Sequence, residues 1–184
     1  MKIIAFTGKP FSGKSEAVEI AKQQDLPVIR MGDMVWDEVR NRNLPLNSET
    51  VGHIAQEMRK KFGTDYWAQK TIAKVKDFND SPIIVIDGIR SGEEINRFRN
   101  ELSNRFLLIA ITATDEIRYK RAMARGRIDD SLDIKQIQER DKREEAWGLE
   151  EVIQNADIHI PNNEDLESFR KKIKQVFQNN LSIL

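Results

Sequence analysis

Gly8-Lys9-Pro10-Phe11-Ser12-Gly13-Lys14-Ser15 is the stretch on which the reading of the chain turns. It sets four residues between two glycines and follows the second with lysine and serine, the P-loop pattern. The pattern carries meaning only between a strand and a helix. Ile3 to Thr7, apolar and β-branched, predicts the strand, and Glu16 to Gln24 predicts the helix. Glycines let such a loop curl so that successive backbone N–H groups point inward, and the helix N-terminus adds its positive end. The result is a nest for multiply charged phosphates. Lys14 is expected to reach the β and γ phosphates of a nucleoside triphosphate such as ATP, and Ser15 to offer its hydroxyl to Mg2+. Gly8, Lys9, Pro10, Phe11, Ser12, Gly13 and Glu16 complete the expected phosphate-binding segment.

Outward from the loop, four more short apolar runs recur between charged stretches: Pro27 to Met31, Ile83 to Asp87, Phe106 to Thr112 and Ile158 to Pro161. They are nearly continuous in apolar residues instead of alternating, as strands are when helices cover both faces of a parallel sheet. Helix signals fill the gaps. Ser91-x-x-Glu94 has the form of a capping box, Asp115 precedes a run with Ile117 and Met123, and Leu166, Phe169, Ile173 and Phe177 follow helical spacing after Glu164. Strict strand–helix alternation predicts an α/β three-layer sandwich with a five-stranded parallel sheet. Ligands in such folds bind at the carboxyl ends of the strands.

The length of 184 residues suits one domain spanning 1–184. Residues 32–76 hold three helical stretches between the second and third strands, an insertion placed to receive an acceptor. Residues 126–133, Gly-Arg-Ile-Asp-Asp-Ser-Leu-Asp, form a polar loop within an expected lid over about 121–140. Thirty basic and 30 acidic residues leave no formal charge, so nothing global favours nucleic acid or an anionic membrane as partner. No cysteine and two histidines, His53 and His159, exclude disulfides and thiolate zinc sites, leaving Mg2+ on oxygen ligands as the expected metal. The apolar N-terminus is too short for a signal and no run approaches the ~20 residues of a bilayer span, so a cytoplasmic monomer or small homo-oligomer is expected.

Two further features suit phosphate chemistry. The third strand ends in Asp87 followed by Gly88, where a carboxylate beside a P-loop can hold Mg2+ or its water. Arginines gather at Arg118, Arg121, Arg125, Arg127, Arg140 and Arg143, with Asp129, Asp130, Glu139 and Asp141 available to neutralise them. Planar guanidinium groups stabilise charge spread over transferring phosphoryl oxygens, and a solvated helix surface would have the same composition.

Together, Gly32-Asp33-Met34, Asp87-Gly88-Ile89-Arg90, Arg121-x-x-x-Arg125 and Arg127-x-Asp129-Asp130 resemble the nucleoside monophosphate kinase superfamily: adenylate and cytidylate kinases and dephospho-coenzyme A kinase. The ending Asn155 to Asn163 looks most like an archaeal group described as adenylate kinase related. The resemblance implies that Arg90 grips the acceptor's phosphate, Arg121 stacks on the donor base and Arg125 touches phosphate. Arg127 and Arg140 would be later lid arginines, and Asn162 and Asn163 would lie beside the donor base. Adenylate kinases usually carry a proline before the third-strand arginine, a threonine where this chain has Met31 and an arginine where it has Trp36. Those departures put AMP specificity in question, with Arg30 or Arg40 available to replace the lost charge.

The leading expectation is a nucleotide kinase that transfers the γ-phosphoryl group of ATP to a nucleoside monophosphate, an acceptor already anionic and in no need of a base. The alternative is a ribose hydroxyl, as in dephospho-coenzyme A, with Asp33 as base. The second alternative is a switch that binds nucleotide without useful turnover. Trp147 either contacts the donor base or seals the core, and His53, His159, Tyr66 and Trp67 read as structural.

Overall fold

The computed structural model describes residues 1–125 and 134–181. Five strands, β1 (Lys2–Thr7), β2 (Val28–Arg30), β3 (Ile83–Asp87), β4 (Phe106–Thr112) and β5 (Ile158–Pro161), pair in the order β2-β3-β1-β4-β5, all parallel. The α/β sandwich expected from the sequence is the one observed. The pleat of β1 divides the core in two. Ile3 and Ala5 pack with Ile84, Ile86, Phe98 and Trp67 on one face, while Ile4 and Phe6 pack with Ile83, Val85, Phe169 and Phe177 on the other. Both faces are therefore buried, which is why the strands read as continuous apolar runs.

Nine helices are described: α1 (Lys14–Gln23), α2 (Met31–Asn41), α3 (Ser48–Phe62), α4 (Tyr66–Val75), α5 (Gly92–Leu102), α6 (Asp115–Arg125), α7 (Ile134–Ala146), α8 (Leu149–Gln154) and α9 (Leu166–Leu181). The three between β2 and β3 fill the expected insertion. Trp67 Nε1 of α4 donates to Ala55 O of α3 at 3.2 Å, tying that lobe together. Several boundaries differ from the sequence reading. β2 stops at Arg30, whose extended backbone (φ −97°, ψ 116°) is the N-cap of α2, so Met31 is helical. The P-loop helix begins at Lys14, with Gly13 as its N-cap. The short α8, opened by Gly148 at φ 96°, carried no periodic signal. Ser91 Oγ accepts from Glu94 N at 3.3 Å as a capping box requires, but Glu94 Oε2 takes the N–H of Arg90 at 2.8 Å.

Register brings Phe6 beside Asp87 and Thr7 beside Ala110, so β1 and β3 end together beneath the P-loop. Thr7 Oγ1 donates to Ile89 O at 2.9 Å, fastening the segment after β3 to the start of the loop.

Candidate active site

A cavity of about 420 Å³ opens over these strand ends. Its floor is the P-loop with Asp87 and Arg90. One wall is the lobe of α2–α4, through Met31, Val35, Trp36, Val51 and Trp67, and the other is α6 and α7, through Arg121, Arg140, Arg143 and Glu144.

The P-loop is shaped by contacts that permit few side chains. Gly13 has φ 120°, and a Cβ there would lie 2.1 Å from Asn162 Nδ2. That amide donates to Ser12 O at 2.8 Å, and Asn162 accepts Arg121 Nη2 at its backbone oxygen (3.0 Å) and its Oδ1 (3.2 Å). Asn162 thus fixes loop and arginine at once. Arg121 also donates to Ser12 O at 3.3 Å, and burial pulls its pKa down. Phe11, at φ 63°, inserts into a small apolar cluster with Ala122 and Ile137 beneath α6 and α7. Lys9 pairs with Glu145 at 2.8 Å, and Glu16 with Arg170 at 2.6 Å.

Lys14 turns its ammonium onto Gly8 O and, at 3.0 Å, Lys9 O. Burial lowers its pKa to about 8, against the opposing charges of Asp87 and Glu144. Ser15 lines the cavity with Asp87, one of whose oxygens, Oδ1, is buried without a hydrogen-bond partner among the described residues. A carboxylate oxygen without a partner and a serine hydroxyl lining one cavity are oxygen donors of the kind that fits Mg2+, whose remaining ligands would come from phosphates and water. Among the described residues no cluster of three or more carboxylates, imidazoles or thiols forms a self-sufficient metal cage.

Arg90 donates through Nη1 to Gly88 O at 3.0 Å and pairs through Nε with Glu144 at 3.1 Å. Arg140 Nε meets the other oxygen of Glu144, also at 3.1 Å. Burial alone would raise the pKa of Glu144, but the charges of Arg90, Arg140 and Lys14 outweigh it and hold the carboxyl at about 2. The same pairing keeps the pKa of Arg90 raised, burial being overcome by Glu144 first and then by Asp87 and Glu94. Arg143 lies across Gly52 of α3, where a Cβ would come within 2.5 Å of its Cζ. It donates weakly to Ser48 O and Oγ (3.3 and 3.4 Å), and its Nε is buried with no partner among the described residues.

Not every expected residue joins this site. Asp33 sits in the first turn of α2 with its side chain 46% exposed, 3.3 Å from Arg30, while Met31, Gly32, Val35 and Trp36 form the wall around it. Arg118 is no phosphate ligand: fully buried, it bonds to Pro10 O, Asp115 and Asp141 and so pins α6 and α7 to the P-loop. Trp147 lies against α3, with Arg59 4.4 Å above its ring and its Nε1 donating to Gln56. Arg30 and Arg40 both approach the ring of Trp36, at 5.8 and 5.7 Å. Arg127 and the rest of 126–133 lie outside the described residues, as does the side chain of Arg125. Glu144 had no sequence signal beyond its helical i,i+4 spacing from Arg140, a pattern shared by any charged surface helix.

The sequence is 45% identical over 181 residues to a UPF0200 protein of Methanosarcina barkeri, covering 98% of this chain and 97% of that one. This chain belongs to the UPF0200 family. A UPF0200 protein of Pyrococcus horikoshii is 35% identical, with 98% of each chain covered. A UPF0200/UPF0201 protein of Archaeoglobus fulgidus is 42% identical over 96% of this chain, which spans only 55% of that longer relative. The family model described as an AAA domain matches residues 7–138. Among solved structures, TT1252 from Thermus thermophilus superposes on this UPF0200 chain with a TM-score of 0.64 at 17% identity, 97% of each chain covered. Dephospho-CoA kinase from Campylobacter jejuni gives 0.59 at 19% identity (97% and 96% covered), and shikimate kinase from Acinetobacter baumannii 0.60 at 12% (99% and 94%). At those identities the likeness is one of fold: this chain shares the fold of those two kinases. No described helix of this UPF0200 chain is long and apolar enough to cross a membrane.

Proposed function

We propose that this chain is an ATP-dependent phosphotransferase whose acceptor is the phosphate of a nucleoside monophosphate. The observation that carries the reading is the division of charge along the cavity. Lys14, Arg30, Arg59, Arg90, Arg121, Arg140 and Arg143 line it, against three carboxylates, Glu16, Asp87 and Glu144. Glu16 is bound to Arg170, and Glu144, held near a pKa of about 2, is a poor proton acceptor at neutral pH. A phosphate nucleophile needs neutralisation and alignment, which this cavity offers, and no base.

In this reading Lys14 and the P-loop amides bind the donor's phosphates, Arg121 and Asn162 border its base, Arg90 stands where the transferring phosphoryl group meets the acceptor's phosphate, and Arg143 meets that phosphate within the lobe formed by residues 32–76. Trp36 and Trp147 supply flat apolar surface for the acceptor's ring. Ser15 and Asp87 would hold Mg2+, which when bound would neutralise charge on the donor's phosphates. The likeness in fold to a dephospho-CoA kinase keeps a hydroxyl acceptor as the rival reading.

The test is a coupled ADP-release assay across ribo- and deoxynucleoside monophosphates and dephospho-coenzyme A. Transfer to at least one monophosphate is expected, abolished by Lys14→Ala, with Arg143→Met raising the acceptor KM about tenfold or more, as loss of a charge-assisted contact does. Activity on dephospho-coenzyme A alone would replace the acceptor assignment. Nucleotide binding without transfer to any acceptor would mark a regulator.

A further inference from the structure

We propose that Glu144 is the positioning residue of the phosphoryl-transfer site: from the last turn of α7 it holds Arg90 and Arg140 together through their Nε atoms and leaves Nη2 of Arg90 to the transferring phosphoryl group. This rests on the phosphotransfer reading above, and not on which acceptor is used.

Arg90 comes from the segment after β3 and Arg140 from α7, so no helix or strand sets their spacing. Two guanidinium groups brought together in a partly dry cavity repel. The Glu144 side chain, 5% exposed, offsets that repulsion with one oxygen for each, Oε2 to Arg90 and Oε1 to Arg140. A carboxylate buried to this extent is retained only with such partners. The geometry distinguishes a buttress from a competitor for phosphate. Glu144 takes the Nε edge of Arg90 and Gly88 O takes Nη1, leaving Nη2 with no partner among the described residues in a side chain that lines the cavity. A guanidinium held by Nε keeps its orientation and still has donors for an oxyanion.

The neighbours of Glu144 extend the argument. Arg143 rests on Gly52 and Ser48 of the acceptor lobe, and Glu145 holds Lys9 of the P-loop at 2.8 Å. Three consecutive side chains therefore reach the lobe, the arginine after β3 and the phosphate loop. Glu144 is the central contact of the three.

The test uses a phosphoryl-group mimic that needs no acceptor. Binding of ADP alone and of ADP with aluminium fluoride and Mg2+ is measured by calorimetry for the wild type, E144Q, E144D and R90M. E144Q is expected to weaken the ADP–aluminium fluoride complex about tenfold or more, in the range of a lost preorganised donor, while ADP alone stays within about threefold. E144D, which keeps the charge on a shorter reach, should recover part of the loss and carries the same comparison should E144Q not fold. In an R90M background E144Q should add less than its loss in the wild type, because it acts through that arginine. Equal weakening of ADP and of the fluoride complex would mean general disruption and overturn the proposal. Unchanged or tighter binding of the fluoride complex would also overturn it, the latter by showing that Glu144 competes with phosphate. A wild type that binds the mimic but phosphorylates no monophosphate removes the acceptor assignment and leaves this result standing. Undiminished transfer by E144Q removes Glu144 alone.

Discussion

Asp33 and Arg143 show how little separates a surface charge from a functional one. Asp33 was expected to be the base for a hydroxyl acceptor, yet its carboxylate is nearly half exposed and paired with Arg30 beside the cavity wall. Arg143 was one arginine in a charged run, yet it occupies the space that Gly52 leaves by lacking a side chain. Asp33→Asn therefore gives a clean separation of the two acceptor readings. A lost general base costs about 100-fold or more, whereas an exposed pair of this kind contributes little. Transfer to a nucleoside monophosphate should stay within roughly tenfold of wild type, and phosphorylation of a hydroxyl acceptor should nearly vanish. Steady-state rates on both acceptors check this, and collapse of the monophosphate reaction would contradict the mechanism preferred here.

At the scale of elements, the β-strands were legible because burial on both faces leaves a signature in composition: Ile83-Ile84-Val85-Ile86 admits no solvent-facing residue. The P-loop was legible because its glycines answer to local backbone and contact constraints. The helices α6 and α7 were legible as helices but not in their orientation, since nothing in a run such as Lys142-Arg143-Glu144-Glu145 marks which charges will be buried. Tertiary contacts decide that. Arg118 is the instructive case, an arginine of the charged run that is buried completely to join Pro10 O, Asp115 and Asp141. Its pKa stays raised, burial being outweighed by hydrogen bonds to Asp141 and then Asp115. Removing one member of a buried pair leaves the other charge stranded, at a cost of about 3–5 kcal/mol. Arg118→Met should lower stability by that order in urea unfolding, and Arg118→Met with Asp141→Leu should recover much of it, because no buried carboxylate then remains. Equal stability of Arg118→Met and wild type would deny the arginine its role in seating α6 and α7.

For the whole molecule, the density of charge around the cavity makes stability depend on pH in a window that can be assigned. Glu144 has a native pKa of about 2, against 4.5 for an ordinary glutamate, so the unfolded chain takes up this proton first as pH falls. In that window the unfolded state binds more protons than the native one, and stability rises with pH. The contribution of Glu144 is complete above about 4.5, declines as the unfolded carboxyl protonates, and is gone once pH passes below about 2. Its full size is on the order of 3 kcal/mol at one pKa unit per ~1.4 kcal/mol. Asp65, Asp115 and Asp165 also have lowered pKa values, chiefly through hydrogen bonds from Arg97 and Gln69, from Arg118, and from Ser168, and they steepen the same decline. A comparison of variants isolates the glutamate, since those aspartates are common to both. Between pH 5 and 3 the urea-unfolding free energy of E144Q should fall less steeply than that of the wild type, by up to one proton's slope, about 1.4 kcal/mol per pH unit. Parallel curves would mean that Glu144 titrates normally in the folded protein and would overturn its clasp by Arg90 and Arg140 beside Lys14.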